Sequence, residues 1–160
     1  MSSDKLHRRA LMLALLALPS CGFAPIYGEN QAARGVITFE TDATPAGFAM
    51  RQRLAERLGS GGATYLLNVS QTARERAAAI NDAGDTTRFN VVGTARWRLS
   101  EIATGKTVAS GQADAFTSYA ATGSTVATQS TRDDAVRRLA IIHADMITSR
   151  ILLLSLDAAP

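Results

Sequence analysis

The chain has 160 residues, with 17 Lys and Arg against 14 Asp and Glu for a formal charge of +3, and a single Cys. Lys5, Arg8 and Arg9 against Asp4 account for +2 of that charge within the first 20 residues, leaving 14 basic and 13 acidic residues. A near-neutral remainder argues against nucleic acid as a partner, because binding it requires a clustered basic surface that displaces counterions, and one Cys excludes an intramolecular disulfide.

Residues 1–20 read as a secretory signal: a basic start, the apolar run Ala10 to Leu18, and small residues at the cut. The apolar run is too short to span a bilayer. Leu18-Pro19-Ser20-Cys21 places the thiol at the cleavage point, so Cys21 is expected to be acylated and to open the mature chain, with fatty acid as the anchor. No other cofactor is expected. The competing reading is a short core helix with a buried thiol. Residues 21–34, opening Gly22-Phe23-Ala24-Pro25-Ile26-Tyr27, are expected to tether the lipid to a single domain at 35–155, followed by a tail at 156–160.

Within the domain, Val36 to Glu40 is β-branched and aromatic and predicts a first strand. Pro45 suits a helical first turn, Leu54, Ala55 and Leu58 recur at helical spacing, and Gly59 supplies a stop, so a helix is predicted over about 46–58. Tyr65, Leu67 and Val69 share one face of a second strand over 64–71. Ala73 to Ile80 either continues that strand or turns helical, since Ala and Arg favour helix while the flanking strands favour pairing; the extended reading is preferred. Asn81 to Asp85 is a turn.

The third strand has the clearest periodicity in the chain. Phe89, Val91, Gly93, Ala95, Trp97 and Leu99 alternate with Arg88, Asn90, Val92, Thr94, Arg96 and Arg98, the pattern of a sheet with one buried and one wet face. Thr107 to Tyr119 forms a fourth strand after the Thr104-Gly105-Lys106 turn. Residues 120–130 read as a loop, and a last helix starts near Ser130 or Thr131, with Asp133 and Asp134 in its first turn and an apolar stripe of Val136, Leu139, Ile142, Ile147 and Ile151. The order β-α-β-β-β-α predicts an α/β (α+β) two-layer sandwich, two helices on one face of a four-stranded sheet.

Motifs for chemistry are missing. His143 is the one histidine after residue 20 and stands without an HExxH partner; its bland reading is a surface or helix-packing imidazole. Gly59-Ser60-Gly61-Gly62 lacks the Lys of a phosphate loop, and Asp82 and Asp85 lack the ligand spacing of a calcium loop. No catalytic or metal residues are assigned, and the chain is not expected to be an enzyme. An anchored envelope hydrolase would have to recruit His143.

Cys21-Gly22-Phe23-Ala24-Pro25-Ile26-Tyr27, Arg51, Leu54 and Leu58, Arg96-Trp97 with Leu99, Thr104-Gly105, Gly111, Ser118-Tyr119, and Asp134-Ala135 with Arg138-Leu139-Ala140 together make the chain resemble the lipopolysaccharide-assembly lipoprotein family of the LptE type. The resemblance implies two helices on a four-stranded sheet. It implies an outer-membrane lipoprotein that plugs and helps assemble the large β-barrel lipopolysaccharide translocon, with possible lipopolysaccharide contact. Gly22 is compatible with outer-membrane sorting. The family's basic residues near the second hairpin turn and before the last helix have no counterpart at 81–85 or 120–130; Arg74, Arg76, Arg88 and Arg132 are the neighbours that could replace them. The alternative is an accessory lipoprotein of an ABC-type or MCE-type phospholipid transport system.

Overall fold

The structure is a computed structural model that describes residues 35–154 and Leu156. The expected signal peptide, Cys21 and the tether at 21–34 lie outside the described residues.

The order is β1 (Ile37–Thr41), α1 (Pro45–Leu58), β2 (Tyr65–Ile80), β3 (Thr86–Glu101), β4 (Thr107–Ala120) and α2 (Thr125–Ile151). The strands form one sheet in sequence order. The parallel partner β1 covers only Tyr65 to Val69 of β2, whereas β2 with β3 and β3 with β4 are long antiparallel pairs. Both helices lie on one face, where Leu54 and Leu58 of the first and Ala144 and Ile147 of the second share a core with Leu67, Val69 and Leu99 of the sheet.

α1 starts where Thr44 accepts a hydrogen bond from the Gly47 amide at 3.0 Å, with Pro45 in the first turn. It ends at Gly59, whose φ of 79° is a conformation that favours glycine. Met50, Leu54 and Leu58 form its buried stripe. They pack with Ile37, Leu67, Val69, Trp97 and Leu99 of the sheet and with Ile147 and Ile151 of α2 in the main core. Leu156, in the segment read as a tail, is buried in the same cluster. A smaller cluster of Val91, Tyr119, Ala135 and Leu139 lies toward the β2–β3 turn, where the Phe89 and Tyr119 rings stack with centroids 5.4 Å apart.

The predicted alternation of β3 agrees with its burial: Val91, Gly93, Ala95, Trp97 and Leu99 are buried, and Arg88, Val92, Arg96 and Arg98 are exposed. Ala73 to Ile80 continues β2 as a strand. Pairing with β3 along its length outweighs the helix propensity of Ala and Arg.

The last helix differs from expectation. It begins at Thr125 under a Ser124 cap, whose Oγ accepts from the Ala127 amide at 3.3 Å, so the loop shrinks to 121–124. Asp133 and Asp134 therefore lie beyond the first turn. Each is tied along the helix instead, Asp133 to Gln129 and Asp134 to Arg137 and Arg138. Ile142 is 38% exposed and sits off the buried stripe.

The two helices are joined by Arg53, whose Nε and Nη2 donate to the two Asp145 carboxylate oxygens at 2.9 and 3.2 Å. α2 crosses the sheet tightly at Gly93. A Cβ there would lie 2.6 Å from Leu139 Cδ2, 2.8 Å from the Thr72 carbonyl oxygen and 3.3 Å from His143 Cε1. Only glycine lets the helix approach this closely.

Candidate functional site

Because both helices cover one face, the other face of the sheet has no layer upon it among the described residues. Strand register decides which side chains it carries. Arg74 lies opposite Val92, which lies opposite Phe116; Arg76 lies opposite Asn90, which lies opposite Ser118; and Arg88 lies opposite Ala120. On the same face, Arg96 stands between Ser70 and Gln112, and Arg98 between Asn68 and Ser110. All five arginines are exposed. None makes an ion pair among the described residues.

Two apolar side chains interrupt this charge. Phe116 is 66% exposed and Val92 is exposed beside it, and with Asn90, Asp114 and Ala115 they line a shallow depression. Asp114 is the acidic group at its rim. Hydrogen bonds from Gln112 and from Thr94, the latter at 2.6 Å, hold its pKa below the usual carboxylate range, and Arg96 acts in the same direction. It therefore stays ionised and is already satisfied by neighbours.

Arg132 does not join the other three candidates. It projects from α2 on the helix side of the sheet and pairs with Glu75 of β2, which raises the guanidinium pKa. Tyr119 lies close to this pair, and its hydroxyl pKa is raised by burial first and by the Glu75 charge second. The sequence reading thus brings together Arg74, Arg76 and Arg88 on one face and leaves Arg132 on the other. It placed Val92, Arg96 and Arg98 on the wet face of β3 with Arg88 but did not name them, or Phe116, as contact candidates. Their signal was the wet half of the β3 alternation, carried across to β2 and β4 by register.

His143 is fully buried, with Nδ1 3.3 Å from Gln71 Oε1 and Nε2 without a partner. Burial lowers the imidazole pKa, against weaker opposing pulls from the Gly93 backbone and the Asp114 carboxylate. This is a helix-packing histidine beneath the sheet, out of reach of a substrate. Among the described residues no group of three metal-ligating side chains converges, and no helix is long and apolar enough to cross a membrane.

This architecture, a two-layer α+β domain, recurs in bacterial lipoproteins of known structure. A candidate lipoprotein from Caulobacter crescentus CB15 matches with a TM-score of 0.61 at 20% identity, covering 77% of this chain and 92% of that one. Rare lipoprotein B from Shewanella oneidensis matches with a TM-score of 0.54 at 11% identity, covering 72% and 92%. A minor lipoprotein from Acinetobacter baumannii gives 0.54 at 20% identity, covering 78% and 95%. At these identities the likeness shows the fold. No curated protein matches in sequence. The family model for LptE, lipopolysaccharide-assembly, matches residues 34–151. The chain belongs to the LptE family, a family of non-enzymatic accessory lipoproteins, and its process is lipopolysaccharide assembly in envelope biogenesis.

Proposed function

We propose that this protein is an outer-membrane lipoprotein, anchored through lipid on Cys21, that plugs and assists assembly of the β-barrel lipopolysaccharide translocon. In this reading it supports lipopolysaccharide transport to, and insertion in, the outer membrane, and has no catalytic role or cofactor beyond the lipid. The observation that carries the proposal is the family match over 34–151, which spans every described helix and strand.

The open face gives the proposal a chemistry. Arg74 lies opposite the exposed Val92, with Phe116 beyond it, and Arg76 and Arg88 follow along the same face, so guanidinium forks suited to phosphate share a face with an apolar surface suited to acyl chains. A phosphorylated lipid or an acidic barrel wall would satisfy that combination. Arg132, held by Glu75, contributes to the helix side of the domain.

The test is affinity purification of the acylated protein from mild-detergent membranes, with partners identified by mass spectrometry. Recovery of a large outer-membrane β-barrel in near-equal amount is expected. Recovery of an ABC-type or MCE-type transport component without the barrel would replace the proposal with phospholipid transport.

A further inference from the structure

The two edges of the sheet are treated differently. α2 runs along the β4 edge, and its side chains cap the outward backbone carbonyls there: Arg150 donates to Gln112, Arg138 to Ser118 at 3.1 Å, and Thr131 to Ala120 at 3.2 Å. These groups point outward because alternate residues of an edge strand face away from the sheet. Side-chain donors of this kind blunt an edge.

Among the described residues the β2 edge has no such cover. β1 ends opposite Val69, and beyond it the Gln71 amide is taken by Asp42 Oδ2 at 2.8 Å. That bond fixes the alternation: the amides and carbonyls of Ala73, Glu75 and Ala77 also point away from β3. The stretch from Ala73 to Ala77 is exposed, in unbroken register with β3, and free of side-chain caps on those backbone groups. The regular edge stops at the irregularity between Ala77 and Ala79.

We propose that the Ala73–Ala77 edge of β2 is a strand-addition site that takes an extended acidic segment of a partner protein. The outward amides and carbonyls supply the ladder. Selectivity comes from Arg74 and Arg76, which project on the open face directly beside the added strand, with no ion pair of their own. Carboxylates at alternate positions of the incoming segment would sit within cross-strand distance of both. On the helix side the neighbours are Ala73 and Ala77, small enough for β-branched residues, and Glu75, already engaged by Arg132.

A second copy of this chain is the wrong occupant. Antiparallel pairing of two β2 edges about Glu75 would place Arg74 opposite Arg76 of the copy, twice, and like charges directly opposite are destabilising. The same arginines that reject self-pairing select an acidic strand.

The experiment uses the mature chain with Cys21→Ser and a synthetic nine-residue peptide of alternating Val and Glu, with a Val and Lys peptide as control. Amide hydrogen exchange is read residue by residue. Saturating acidic peptide is expected to slow exchange at Ala73, Glu75 and Ala77 about ten-fold or more, and the basic peptide to bind about ten-fold more weakly. Ala73→Pro removes an outward amide that has no ladder bond to lose, and should abolish both binding and protection while both arginines remain. Ala77→Pro serves as the second variant should the first perturb the fold. Acidic peptide bound without protection of these amides, binding retained in a folded proline variant, no binding at millimolar peptide, or a β2-paired dimer would each overturn the site. Lipopolysaccharide held on the open face leaves these amides unprotected, so this test and that of the translocon role fail independently.

Discussion

Gly93→Ala tests whether the close crossing of α2 over the sheet holds the domain together. The added Cβ would meet Leu139 Cδ2 at 2.6 Å and the Thr72 carbonyl oxygen at 2.8 Å. The Leu139 methyl can rotate away, but the Thr72 carbonyl belongs to a paired strand and has nowhere to go. Overpacking costs about 1–3 kcal/mol, and a backbone contact puts this case near 3 kcal/mol, or a Tm lower by roughly 10 °C for a domain of this size. Leu139→Ala alone should cost about 3 kcal/mol from the cavity it leaves. In the double variant, losing Cδ2 relieves part of the clash, so the combined loss should fall short of the sum by about 1 kcal/mol. Urea unfolding of the mature Cys21→Ser chain and its three variants measures the cycle. Additivity to within about 0.5 kcal/mol, or a neutral Gly93→Ala, would refute the argument.

His143 makes stability depend on pH in a narrow window. Its folded-state pKa is depressed by burial, so the unfolded chain binds the extra proton first, and stability is full above about pH 6.5 and declines as pH falls below it. The slope is at most about 1.4 kcal/mol per pH unit, and it should vanish in His143→Gln; a slope that survives would contradict the assignment. Asp114 does not interfere, since its depressed pKa keeps its contribution until well below that window. Ser124→Ala should cost about 1 kcal/mol in the same unfolding assay by removing the α2 cap. Arg74→Glu with Arg76→Glu should weaken lipopolysaccharide or barrel binding in a pulldown, with unfolding unchanged as the control; unaltered binding would take both residues out of the proposed contact. Cys21→Ser in cells is expected to give a folded but unanchored protein, and its recovery in acylated form would contradict the lipoprotein assignment.

Elements with a strong period were legible in the sequence. Phe89 through Leu99 alternates with only Val92 out of pattern, and Val91, Gly93, Ala95, Trp97 and Leu99 of the half that the pattern named are buried. The start of α2 was not legible, because Thr125, Val126, Thr128 and Thr131 have modest helix propensity while Asp133 and Asp134 imitate a first turn. Tertiary contact decides the matter: Thr131 reaches the Ala120 carbonyl, so this turn is held against β4. The candidate arginines were visible as charges, but the face each occupies depends on register between strands far apart in sequence. Arg132 departs from its group only because Glu75, 57 residues away, meets it on the helix side.

The hydrophobic interior is divided. Gly93 and the unpaired His143 Nε2 sit where α2 passes between the main core and the smaller cluster of Val91, Tyr119, Ala135 and Leu139. At that line the glycine contributes no side chain and the ring Nε2 no hydrogen bond, so the join rests on the close approach of Leu139 and His143 to the Gly93 backbone. The smaller cluster, together with the β2–β3 arm and the first turns of α2, is expected to open at a lower free energy than the whole, which residue-by-residue amide exchange would show as faster exchange at that end. Such opening would release the outer half of β2 with Arg74 and Arg76 while Tyr65, Leu67 and Val69, packed in the main core beside β1, stay folded, so the domain would loosen at one end without losing the other.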